Sequence, residues 1–114
     1  MKYDWSDDAI RHAKECNPEE SCGVLININN KIKYIPCKNV ANEIKDVAFI
    51  IDPLDYADAE DQGDVVGIVH SHPQDILKFS DADKYSCKSI DLPFYLVSPY
   101  SDKIELLLPE NINA

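Results

Sequence analysis

The run His70-Ser71-His72-Pro73, followed by Ser80-Asp81-Ala82-Asp83, brings together side chains that bind divalent metals. The preceding stretch Asp64–His70 reads as a buried strand, and the two-residue period of a strand turns His70 and His72 to one side and Ser71 to the other. Catalytic zinc takes three protein ligands of nitrogen or oxygen and keeps a fourth position for water or substrate. His70, His72 and Asp83 meet that requirement with no cysteine. Each part also has a plainer reading: a His-x-His pair at a strand end can be two surface histidines, and Ser80-x-x-Asp83 has the form of a helix capping box. Capping and metal binding thus compete for Asp83. A carboxylate in a first helical turn projects from a rigid element, and Ser80 can cap with the hydroxyl that borders the site.

A hydrolytic zinc site also needs a base that is not a ligand, to take a proton from water and return it to the leaving amine. Glu20, just before the first strand in Glu20-Ser21-Cys22-Gly23, is the candidate, with Glu19 an adjacent competitor and a solvated side chain the plainer reading. Gly23 favours Glu20 modestly, since a glycine permits close approach of backbone or substrate. If the backbone is extended here, Cys22 shares the Glu20 face, as a soft ligand or, in the reading preferred, a small buried hydrophobe. His12 has no partner at ligand spacing. The cysteines at 16, 22, 37 and 87 form no C-x-x-C pair, so neither a zinc ribbon nor a thioredoxin-like motif is supported and free thiols are expected. The Pro-Cys-x-x-Cys pattern of zinc deaminases fails at Asn39, and no His-x-Glu accompanies it.

The elements that must position these groups follow from local pattern. A helix capped by Asp4 or Ser6 runs to about Lys14 and stops at Asn17-Pro18. Ser21–Ile28 and Lys31–Pro36 read as a hairpin about Asn29-Asn30. A polar loop leads to a short strand, 48–51, then to a helix with Pro53 at its first position and Gly63 at its end. The strand ending at His70, an irregular loop over 73–79, a helix from Asp81 to Ser89, and strands at 94–97 and 103–108 complete the chain. Helices interleave with strands, so the expected class is α/β: a mixed β-sheet covered by helices, with polar groups gathered where a strand leads into a helix N-terminus.

With 114 residues the chain is read as a single domain, 1–114. Twenty-one acidic against 11 basic residues give a formal charge of −10, which disfavours nucleic acid and anionic membranes as partners. No export signal and no apolar run of spanning length is seen, so a cytoplasmic location is expected.

Taken together, Glu20, His70-x-His72, Ser80 and Asp83 closely resemble the signature of the JAMM (MPN+, Mov34/PAD-1-like) metalloproteases. The segments Glu20–Leu25, Pro36–Ala41, Phe49–Pro53, the His-Ser-His-Pro run and Leu92–Ser98 resemble in particular the JAMM domains that open phage tail-assembly proteins and their bacterial relatives, over nearly the whole chain. The resemblance implies a cytidine-deaminase-like JAMM/MPN fold, one zinc ion on His70, His72 and Asp83, Glu20 as general acid/base, and Ser80 stabilising the oxyanion. It implies peptide or isopeptide bonds as substrates, with a phage tail protein as the partner. The NlpC/P60 cysteine-peptidase domain that usually follows is not seen, nor is there room for ubiquitin-gripping insertions. A peptide pairing with an exposed sheet edge beside the zinc is an alternative mode of recognition. The rival expectation is a non-catalytic tail-structural or adaptor module whose zinc pins a loop to the sheet.

Overall fold

A computed structural model describes residues 3–112. Helix α1 (Ser6–Cys16) lays Ala9, Ile10 and Ala13 on one buried stripe, the spacing that faces one side of a helix to a core. Its N-cap is Trp5 and makes no side-chain cap bond; the Ser6 hydroxyl instead accepts from the Tyr3 N–H at 3.1 Å. The expected Asp4 or Ser6 cap is therefore replaced by a turn and by the burial of Trp5.

Strands β1 (Cys22–Ile28) and β2 (Lys31–Cys37) form the expected hairpin. Its two turn residues, Asn29 and Asn30, both have positive φ, 53° and 67°, which matches a type I′ turn. Helix α2 (Pro53–Gln62) starts on Asp52, whose side chain accepts from the Leu54 N–H, and ends at Gly63. Strand β3 (Asp64–Ser71), helix α3 (Asp81–Ile90), β4 (Phe94–Val97) and β5 (Ile104–Leu107) follow. The sheet order is β2-β1-β3-β4-β5, antiparallel except for the β3–β4 pair, which α3 connects. The α/β class and the mixed sheet match the sequence expectation.

Alternation along the strands separates two cores. Leu25, Tyr34, Val69 and Val97 pack with Trp5, Ala9, Ile10 and Ala13 on the α1 face. Val24, Ile26, Ile68 and Phe94 pack with Ala59 of α2 and Cys87 of α3 on the other. His70, one residue after Val69, belongs by the same period to the α2/α3 face. Two expectations change. Residues 48–51 do not form a strand: they make one isolated bridge, Asn39 to Ile51, because the Asn39 side chain takes the Ile50 N–H and the Ala48 carbonyl. The sheet edges are β2 and β5, whereas β3 is paired on both sides, so no free edge lies beside His70. Among the described residues no helix is long and apolar enough to cross a membrane.

Candidate metal centre

The site forms at the C-terminal end of β3, where the chain leaves the sheet and returns through the N-terminus of α3. His70 pairs across to Cys22 on β1 and Leu96 on β4, and its side chain is fully buried. Phe49 stacks on its ring, with centroids 4.7 Å apart and planes 26° off parallel. His72, one residue beyond the strand, lies with its ring centroid 5.3 Å from that of His70. As the strand period requires, Ser71 points away. Its hydroxyl accepts from the Ser21 N–H at 2.8 Å, and its own N–H donates to the Ser21 carbonyl at 3.1 Å. Ser71 therefore clamps the segment that carries Glu20 to the strand that carries the histidines.

Asp83 performs both of the competing tasks. The Ser80 hydroxyl accepts from the Asp83 N–H at 3.1 Å, and Asp83 Oδ2 accepts from the Ser80 N–H at 2.9 Å, completing the capping box. The same carboxylate lies 3.1 Å from His70 Nε2 through Oδ1 and 3.1 Å from His72 Nε2 through Oδ2. Two carboxylate oxygens offer about four lone-pair positions, enough for a cap and two further contacts. Ligand atoms of Glu20, His70 and His72 lie within 4.8 Å of one another. Glu20, only 4% exposed, is thus at the site, and the structure brings together Glu20, His70, His72, Asp83 and, through the cap, Ser80. Among the described residues no such group includes Glu19, which lines a neighbouring cleft.

The electrostatics suit a cation. Burial holds the His70 imidazole below its ordinary value despite Asp83, keeping it neutral. His72 goes the other way: burial lowers it, but the Asp83 bond and the Glu20 charge outweigh that and raise it. Its two nitrogens both face acceptors, Nε2 toward Asp83 and Nδ1 toward the Ile76 carbonyl at 3.2 Å. Asp83, though buried, is held well below the usual carboxylate range by both imidazoles and the Ser80 N–H. Burial pushes Glu20 up to about 7, with His72 opposing and Asp83 and Asp46 reinforcing the rise.

One observation fits a metal directly. Although Nε2 of His70 lies 3.1 Å from Asp83, the contact is not aligned as a hydrogen bond, and neither ring nitrogen of this buried histidine has a hydrogen-bond partner. A buried polar atom without a partner is costly; an ion between the histidines and the carboxylate supplies one. Cys22 does not belong to the set. Its thiol donates to the Cys37 and Lys38 carbonyls at 3.7 and 3.6 Å, and burial together with Cys37 raises its pKa far above the ordinary value, which suppresses the thiolate a metal needs. All four cysteines are free.

Comparison with known proteins agrees with this geometry. The family described as prokaryotic homologs of the JAB domain matches residues 4–106. The chain belongs to that family. Tail tip assembly protein K of Escherichia phage N15 is 40% identical over 98 residues, covering 86% of this chain and 40% of that protein. The protein of the same name from Escherichia phage lambda is 44% identical over 45 residues, 40% of this chain and 23% of that one. The chain therefore spans less than half the length of these relatives.

Among solved structures, DSY2949 from Desulfitobacterium hafniense superposes with a TM-score of 0.69 at 21% identity, covering 90% of this chain and 76% of that one. AF2198, a JAB1/MPN domain protein from Archaeoglobus fulgidus, gives 0.61 at 18%, covering 91% and 82%. A structure titled as JAMM, a metalloprotease-like zinc site in the proteasome and signalosome, gives 0.60 at 18%, covering 94% and 84%. At these identities the structures establish the fold.

In this JAB domain, sequence reasoning missed the residues that hold the site together. Phe49 and Asn39 lie in segments used for the family resemblance but were given no role. The Asp75–Ser98 pair was also missed: the Ser98 hydroxyl donates to Asp75 Oδ1 at 2.7 Å, fixing the loop whose Ile76 carbonyl faces His72 Nδ1. Gly23 serves a different purpose from the one expected. A Cβ there would lie 2.5 Å from the Tyr34 ring, so the glycine makes room for Tyr34, whose hydroxyl is 2.6 Å from His12 Nδ1.

Proposed function

We propose that this domain is a zinc-dependent metallopeptidase that hydrolyses a peptide or isopeptide bond, acting on a phage tail protein. The observation that carries the reading is the clustering of two histidine Nε2 atoms, each 3.1 Å from an oxygen of the Asp83 carboxylate, with a buried glutamate whose ligand atom lies within 4.8 Å of those of both histidines. His70, His72 and Asp83 would hold one zinc ion, with Glu20 left as the proton carrier. When bound, zinc lowers the pKa of water and polarises a carbonyl.

The residues supply the rest. Glu20, its carboxyl pushed up to about 7 by burial, takes a proton from water and delivers it to the departing nitrogen near neutral pH. The Ser80 hydroxyl accepts from the Asp83 N–H, so its own proton remains free to donate to a developing oxyanion. His72 Nδ1 faces the Ile76 carbonyl, which leaves Nε2 as the coordinating atom. Recognition uses the mouth of the site, because β3 has no open edge.

The name of the phage relatives, tail tip assembly protein K, supports a second reading, a non-catalytic adaptor in the tail whose zinc pins the loop. A proteomic cleavage screen on tail proteins separates the two. New termini should appear with wild type and vanish with Glu20→Gln at equal zinc content. No cleavage by wild type on any tail, peptide or isopeptide substrate would favour the adaptor.

A further inference from the structure

Glu20 precedes β1 and has no place in the strand ladder, so something else must fix it beside the histidines. Its N–H donates to the Lys45 carbonyl at 2.7 Å, and its carbonyl accepts from Asn39 Nδ2 at 3.1 Å. Asn39 makes three more bonds. Nδ2 also donates to the Ala48 carbonyl at 3.0 Å, and Oδ1 accepts from the Ala41 N–H at 3.0 Å and the Ile50 N–H at 3.1 Å. An asparagine amide has two donors and an oxygen with two lone pairs, and all four positions are used.

We infer that Asn39 is the positioning residue for Glu20: its amide braces the 39–50 segment against the Glu20 peptide and so sets where the Glu20 carboxylate stands relative to His70 and His72. The segment it braces also carries Phe49, stacked on His70, and Lys45, whose carbonyl holds the Glu20 N–H. One side chain thereby links the proton carrier and the plane of a metal-facing imidazole without touching either reacting group. Only glutamine carries the same amide, and its extra methylene displaces it from these four partners. Aspartate keeps the two to Oδ1 and turns the two donors into an oxygen facing carbonyl oxygens; alanine removes all four. For its effect on catalysis the inference rests on the reading of Glu20 as general base; for its effect on geometry it does not.

The test uses zinc-loaded wild type, Asn39→Ala and Asn39→Asp, with three readouts: amide hydrogen exchange at Glu20 and Ser21, zinc per chain, and kcat with KM on a cleaved tail peptide. In both variants the Glu20 N–H is expected to exchange at least tenfold faster. The Ser21 N–H, held by Ser71, should stay within about twofold and zinc should remain at one per chain. kcat is expected to fall about 10- to 100-fold with KM within about twofold, the pattern of a misplaced catalytic group. Asn39→Asp guards against a simple folding failure, since it retains both bonds that shape the loop. Unchanged Glu20 exchange in both variants would overturn the inference, as would loss of zinc in step with activity. If wild type cleaves nothing, the peptidase reading fails while the exchange measurement still decides the role of Asn39.

Discussion

Removing Asp83 and removing Ser80 should have different consequences, because the two residues share one capping box while only Asp83 also faces both histidines. Loss of an N-cap side chain costs about 1 kcal/mol. With an unfolding entropy of about 2.1 cal/mol/K per residue, a chain of 114 residues loses about 4 °C in Tm for that amount. Ser80→Ala should show this drop and keep the wild-type response to zinc. At free zinc one hundred times its Kd, binding adds about 2.7 kcal/mol, a rise of about 11 °C over protein held in chelator. Asp83→Ala should lose most of the zinc response and only the reciprocal half of the box, the carboxylate on the Ser80 N–H, since the Ser80 hydroxyl still accepts from the backbone N–H of residue 83. A site weakened a hundredfold leaves about 0.4 kcal/mol at the same zinc concentration, about 2 °C. The assay is thermal unfolding of the three proteins in chelator and in zinc. An Asp83→Ala protein that keeps the full zinc-dependent rise would refute the assignment of Asp83.

Three further outcomes follow from the same geometry. Gly23→Ala places a methyl group 2.5 Å from the Tyr34 ring and should cost about 1–3 kcal/mol in a urea titration, eased by adding Tyr34→Phe only if the hydroxyl is the obstruction. Ser98→Ala frees Asp75 and loosens the loop that holds the Ile76 carbonyl on His72; competition with a chromophoric chelator should find zinc bound about 10-fold more weakly, with Tm in chelator changed little. In metal-free protein the Glu20 carboxyl stays protonated to about 7 while the unfolded chain releases that proton near its ordinary value of about 4.3. The folded state therefore binds the extra proton between those values, and wild type should lose up to about 3 kcal/mol relative to Glu20→Gln as pH rises through that window. Parallel pH profiles for the two proteins would contradict the burial of Glu20 as a titrating group.

Much of this arrangement is legible in the chain because it depends on short-range periods. The two-residue spacing of His70 and His72 fixed their shared face, Ser80-x-x-Asp83 marked a helix start, and Asn29-Asn30 marked the hairpin of β1 with β2. What could not be read depends on side chains reaching across sequence. Asn39 replaces a strand at 48–51 by taking its backbone groups, and no local pattern of residues announces that. Ser98 reaches Asp75 from the end of another strand, and Phe49 reaches His70 from a loop. Gly23 suggested room for a substrate, whereas the space belongs to Tyr34 from the neighbouring strand. The pairing order that puts β3 inside the sheet and denies it an edge was likewise not written in any one segment.

The central claim is that His70, His72 and Asp83 hold a single zinc ion with Glu20 beside it, and X-ray absorption at the zinc edge of the loaded protein tests it most directly. The account predicts one zinc per chain, a nitrogen and oxygen shell at about 2.0–2.2 Å with two imidazoles, and a spectrum that changes in Asp83→Ala but keeps its imidazole pair in Glu20→Gln. A sulfur shell near 2.3 Å, or a spectrum unchanged by Asp83→Ala, would contradict it.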